Sequence, residues 1–326
     1  MKLTKELWGT SPCGKEIYLY TIENSKGAYV KLSSIGAGIV SVVVPDKDGN
    51  LADVVLGYSE PASYFGDGPC SGKIPGRYAN RVALGKFTLD GVEYTLPVNN
   101  GPNHLHGGPE GFQNKVWESR EHEGGVEFMY YSEDGEQGYP GAVKTVARYE
   151  WTEENELRLT LTAESDAPTV INLTNHAYFN LDGFGKTIES HKAKIYADRY
   201  TVVDENLIPN GERPNLRGTV FDFTEMTPIL SRCGGDFVGY DHNFILAPSV
   251  FRGFDGIKTH LAATVEGERL ALDVYTDQEG VQFYIGNFLG SGPDFKGGIP
   301  QIRQGALCLE AQTEPNCINH GEGIYE

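Results

Sequence analysis

The chain is poor in cysteine, in positive charge, in long apolar runs and in helical pattern. Its five cysteines (Cys13, Cys70, Cys233, Cys308, Cys317) are an odd number with no CxxC spacing. That argues against a disulfide framework and for reduced thiols, so a cytoplasmic location is expected. No apolar run approaches the roughly 20 residues of a membrane-spanning helix. Residues 1–7 carry charge with no apolar stretch behind them, so no secretory signal is expected either. Lys and Arg total 27 against 45 Asp and Glu, a formal net charge of −18. Nucleic acid and anionic membrane surfaces call for a basic face, so neither is an expected partner. The same balance disfavours a highly phosphorylated substrate. A Rossmann fingerprint, a P-loop and a Gly-x-Ser-x-Gly elbow are all missing.

Strand periodicity fills the space that helices leave. Residues 17–22, 28–32, 39–44, 270–275 and 281–285 are β-rich runs bounded by turn formers. Residues 86–96 read as a tight hairpin, because Asp90-Gly91 supplies the positive φ of a type I′ turn. Leu157, Leu159, Leu161 and Ala163 alternate with polar residues, which predicts one buried face. Residues 169–174 also alternate like a strand, and residues 61–65 read as a single helical turn. Many short strands predict an all-β fold, a large antiparallel sandwich or barrel. No linker or repeat breaks the chain, so one domain over residues 1–326 is expected, with a monomer as the default.

Four clusters carry chemistry. The first, residues 76–81, holds Arg77, Asn80 and Arg81, whose fixed donors and amide suit the hydroxyls of a polyol. A surface arginine with a structural partner is an equally good reading there. In the second, residues 99–108, His104 and His106 share a parity, but no adjacent residue supplies a third metal ligand, so neutral hydrogen bonding is expected over metal binding. His104 also fits a capping role in a glycine-rich turn. In the third, residues 172–181, His176 and Tyr178 follow an alternating run and precede a turn at Asp182-Gly183. His176 is a candidate acid, against the plainer reading of a core histidine bonded to a carbonyl. In the fourth, residues 305–316, Glu310 interrupts an apolar strand. A buried carboxylate is costly unless paired or functional, and desolvation raises its pKa, making it a better base near neutrality. Glu314 reads as a solvated strand-end residue. Asp241 at a strand entry and Gln282 within residues 280–284 belong with these, and aromatics near them can stack on a pyranose ring.

Taken in order, residues 76–81, 103–108, 172–181, 239–244, 280–288 and 308–310 resemble the aldose 1-epimerases, or galactose mutarotases, over nearly the whole chain. The resemblance implies a galactose mutarotase-like supersandwich and a free aldose as the small-molecule substrate. It implies Glu310 as general base, His176 as general acid and His106 as a second histidine near the ring oxygen. Arg81, Asn80, Asp241, Gln282 and Tyr178 are implied as sugar contacts. Anomer exchange needs a proton taken from O1 and one given to O5, then turning about C1–C2 and reclosure. A carboxylate and an imidazole suffice, so no cofactor and no metal is expected. Three other readings fit the same residues less well: a hexose-6-phosphate epimerase using Arg77 or Arg213, a non-catalytic sugar-binding module, and a glycosidase using Glu310 with Asp241.

Overall fold

Alternation between apolar and polar residues resolves into antiparallel ladders in the computed structural model, which describes residues 1–254 and 256–320. Lys2–Thr10, Glu16–Glu23, Tyr29–Ser33, Gly38–Pro45 and Leu51–Asp53 form one meandering sheet. Glu118–His122, Gly125–Ser132, Val143–Trp151 and Leu157–Ser165 form a second. A third is built on Lys192–Ile195, Ile257–Glu266 and Ala271–Thr276. The fourth runs Ala197–Tyr200, Asp241–Leu246, Gly280–Tyr284, Cys308–Gln312. Helical structure among the described residues is limited to 3₁₀ turns of three or four residues. No helix there is long and apolar enough to cross a membrane.

The expected hairpin forms between Lys86–Leu89 and Val92–Thr95, with Asp90 at φ 51° and Gly91 at φ 78°. The helical turn forms at Pro61–Tyr64. Two expectations differ. Leu157, Leu159 and Leu161 are only half-buried and Ala163 is exposed, because Leu157–Ser165 is an edge strand. Residues 169–174 make no regular strand. Instead Asn172 forms an isolated bridge with Tyr78, and His176 exchanges backbone bonds with Gly72 and Lys73. The segment is held by residues 72–79, whose own irregular backbone cannot support a continuous ladder.

The fourth sheet places the site. Its register aligns Asn243, Gln282 and Glu310 in one row and Asp241, Tyr284 and Cys308 in the next. Side chains alternate across a sheet, so these rows share one face while Phe244, Val281, Phe283 and Leu309 take the other. The second set lies in the main core with Tyr20, Leu32, Phe128 and Trp151 from the first two sheets. Phe283 stacks on Tyr240 at 5.5 Å and packs edge-on against Phe223 and Phe244. Phe283→Ala is expected to cost about 3–5 kcal/mol of stability, read as the fall in urea midpoint at unchanged m.

Candidate active site

A cavity of about 460 Å³ opens above the polar face of the fourth sheet. That is within the usual range for small-molecule sites. Asn80, Arg81, His106, His176, Tyr178, Asp241 and Glu310 all line it. Five sequence segments, far apart along the chain, thus converge.

Glu310 sits mid-strand and is almost fully buried, with Oε2 lacking any hydrogen-bond partner among the described residues. Its Oε1 lies 3.5 Å from Nε2 of His176. Burial pushes the Glu310 carboxyl well above its ordinary range, and the nearby Asp241 charge adds to this against the opposing pull of Arg81. Burial also pushes His176 down to about 4. Both shifts favour the uncharged forms, a carboxyl beside a neutral imidazole. A carboxylate beside an imidazolium holds the same number of protons. The pair therefore carries one exchangeable proton over a wide pH span and titrates as a unit. His176 is packed between the rings of Tyr178, at 5.1 Å, and His106, at 5.3 Å.

His106 is fixed differently. The short ladder of Arg81–Val82 with His104–Leu105 brings it beside Asn80. The His106 backbone N–H donates to the Asn80 carbonyl at 3.0 Å, and the Asn80 N–H donates to His106 Nδ1 at 3.1 Å. Both residues have positive φ, 63° for Asn80 and 53° for His106. Strain of this kind is worth on the order of 1–3 kcal/mol for a residue such as His106, and it persists only where surroundings impose it. Gly107 is part of that surrounding: at φ 78° a Cβ would lie 1.7 Å from the Gly76 carbonyl. Because an amide N–H can only donate, Nδ1 of His106 is an acceptor. A neutral His106 then presents Nε2–H to the cavity as a fixed donor.

Arg81 donates from Nε to Asn100 at 3.0 Å, and its Nη2 lies 3.7 Å from Asp241. The Asn80 amide oxygen accepts from Arg81. Gln282 does not line the cavity: its Nε2 donates to Asp241 Oδ1 at 2.7 Å, so it reaches the site by orienting that carboxylate.

Two expectations change, for Gln282 and Glu314, while Arg77 and His104 take structural roles that the sequence had left open. Arg77 is not a polyol donor. It is buried, and its guanidinium donates to Ser132, Glu133, Pro140 and Thr169, pinning loops together. His104 is structural, with Nδ1 donating to the Pro97 carbonyl and Nε2 accepting from Tyr139 at 2.7 Å each. Glu314 is not solvated but receives Arg213 Nε at 2.6 Å. Asn100, Gly101, Glu205, Asn206, Leu207 and Ser291 also line the cavity. Residues 205–207 and 291 carry no motif, so periodicity and spacing do not reveal them. Of the aromatics near the polar groups, Tyr284 and Phe288 reach the cavity, stacked at 6.1 Å.

A third ligand absent beside His104 and His106 in sequence is present in space. The potential ligand atoms of His106, His176 and Glu310 lie within 4.8 Å of one another. Ligation through His106 Nε2 would require a proton on Nδ1, which already accepts the Asn80 N–H, so the tautomer opposes a metal there.

An all-β sandwich with a cavity over one polar sheet face and a buried carboxyl–imidazole pair in it defines a class: an acid–base site for a small polar ligand. The family model for aldose 1-epimerase matches residues 18–324, and the chain belongs to that family. It is 40% identical over 321 residues to a galactose mutarotase from Bos taurus, covering 98% of this chain and 92% of that one. An aldose 1-epimerase from Escherichia coli (strain K12) is 38% identical over 318 residues, with coverages of 96% and 90%. The crystal structure of a galactose 1-epimerase from Lactobacillus acidophilus superposes with a TM-score of 0.83 at 30% identity, covering 99% and 93%.

The two arginines of residues 76–81 should separate cleanly. Arg77→Met strands buried acceptors and is expected to lose about 2–3 kcal/mol, with the folded fraction fully active. Arg81→Met gives up fewer bonds, to Asn100 and Asn80, so it should lower the urea midpoint less than Arg77→Met and lower activity more. Unfolding curves and kinetics on both variants check this.

Proposed function

We propose that the protein interconverts the α and β anomers of free aldohexoses such as galactose and glucose, with Glu310 as general base and His176 as general acid. The observation that carries this reading is the 3.5 Å approach of His176 Nε2 to Glu310 Oε1 inside a cavity lined by hydroxyl partners. With a cyclic sugar bound, the shared proton moves to His176, making imidazolium and carboxylate. Glu310 removes the proton from O1 while Nε2–H protonates O5, and the C1–O5 bond breaks. The pair is now carboxyl plus neutral imidazole, the form that burial favours. Rotation about C1–C2 presents the other aldehyde face. Nε2 takes back the proton from O5, Glu310 returns one to O1, and the ring closes as the other anomer. His106 Nε2–H donates a hydrogen bond to the ring oxygen as charge develops. Arg81, Asn80 and Asp241 hold hydroxyls, with Gln282 orienting Asp241, and Tyr178 packs beside His176.

Neither arginine considered for phosphate faces the cavity. Arg77 is spent on backbone carbonyls and hydroxyls and Arg213 pairs with Glu314, which supports a free sugar over a phosphorylated one. We read residues 1–326 as one catalytic domain acting as a monomer, since one chain supplies every acid–base group. Five free thiols and a formal charge of −18 support a cytoplasmic setting.

Glu310→Gln is expected to lower kcat by about 10²–10⁴-fold with the fold intact, followed by polarimetry on freshly dissolved α-glucose and α-galactose. A rate equal to the parent's would remove Glu310 from the base role. His176→Asn should likewise act on kcat; a change in KM alone would make it a binding residue.

The pH profile of kcat/KM should be bell-shaped. Activity is lost on the acid side as the pair gains a second proton, near the depressed His176 value of about 4. It is lost on the alkaline side as the pair gives up its only proton, above the ordinary carboxylate range. Asp241 raises the Glu310 pKa, so Asp241→Asn should move the alkaline limb to lower pH. A limb that stays in place or moves upward would contradict the coupling.

A further inference from the structure

Cys308 is fully buried and shares the strand Cys308–Gln312 with Glu310. Two residues apart, the two side chains leave the same face of the strand. His176 fits against both. Its Nδ1 lies 3.6 Å from Cys308 Sγ and its Nε2 lies 3.5 Å from Glu310 Oε1. One strand thus touches both nitrogens of one ring.

Which nitrogen of a histidine exchanges a proton is set by the hydrogen bond that the other makes. An imidazole that donates Nε2–H and ends neutral must keep its other proton on Nδ1. A neutral ring with Nε2–H and a bare Nδ1 would become an imidazolate on donating, which is inaccessible near neutral pH. His106 is held in that second form by the Asn80 N–H. Around His176, burial and the Glu310 and Asp241 carboxyls push the Cys308 pKa well above its ordinary value. Cys308 is therefore a neutral thiol, whose sulfur is a weak acceptor.

We propose that Cys308 is a positioning residue: its sulfur accepts Nδ1–H from His176, holds that ring in the Nδ1–H tautomer, and leaves Nε2 as the proton-exchanging nitrogen. The two histidines of the site then stand in opposite tautomers, one a proton carrier and the other a fixed donor. The catalytic consequence rests on the acid role proposed for His176; the tautomer does not.

The test is a nitrogen–proton correlation spectrum of the protein labelled with ¹⁵N-histidine, with His176 assigned by its loss in His176→Asn. Above the His176 pKa, a protonated Nδ1 and a bare Nε2 are expected. Cys308→Ala should raise the share of the Nε2–H tautomer, against the Glu310 carboxyl that still favours a bare Nε2, and lower kcat about 10-fold at little change in KM. That is milder than the roughly 10⁴-fold loss when a carboxylate-held tautomer is lost, because sulfur accepts weakly. Cys308→Ser, whose oxygen still accepts, should recover most of the rate. An Nε2–H tautomer in active wild-type protein would overturn the proposal and leave the function standing, as would Cys308→Ala with unchanged kcat and tautomer. Should Cys308→Ala fail to fold, the wild-type spectrum and Cys308→Ser decide. Wild-type protein inactive on every free aldose would remove the functional reading and the catalytic role of Cys308 together.

Discussion

A carboxyl group buried in mid-strand against an imidazole is the constraint that organises this protein. Glu310 alone at that position would be a liability, since an ionised carboxylate without a partner is costly away from water. Beside His176 it becomes half of a pair that stays uncharged by sharing one proton. The same sharing suits a reaction that takes a proton at one oxygen and returns one at another. Desolvation thus sets both the resting charge of the site and its readiness to move a proton.

The sheet makes that burial possible. Asp241–Leu246, Gly280–Tyr284 and Cys308–Gln312 stand in a register that sends Phe244, Phe283 and Leu309 into the core and Asp241, Gln282 and Glu310 to the other face. A slip of one residue would exchange the two sets. Packing of the aromatic core is therefore what holds the acid–base face in place. The histidines come from outside this sheet, on irregular segments. His176 is tied by backbone bonds to Gly72 and Lys73, and His106 by the reciprocal bonds with Asn80 at positive φ. Irregular backbone costs more than a strand, but it aims side chains that a regular ladder could not bring over Glu310.

Much of this was legible in the chain. Alternation marked most strands, Asp90-Gly91 marked its hairpin, and a glutamate inside an apolar run marked the buried carboxyl. Clusters at residues 76–81, 103–108 and 172–181 marked where the other groups come from. Local sequence could not tell Arg77 from Arg81, because both sit in one cluster and differ only in what surrounds them. His104 and His106 share a parity, yet one is bonded to Pro97 and Tyr139 in the interior while the other faces the cavity. Gln282 was legible as a polar residue in a buried strand, but not as a support for Asp241. Residues 205–207 reach the cavity only because a loop returns over it.

Sequence alone determined the all-β class, the acidic balance and the clusters from which the proposed reacting groups come, because periodicity and residue chemistry are local properties. Tertiary structure decided which of two similar side chains faces the cavity, that His176 and Glu310 lie within reach of one proton, and which nitrogen of His106 is free to donate. Those are distances and hydrogen bonds between segments separated by as many as 200 or so positions along the chain, and they exist only once the sheets have packed.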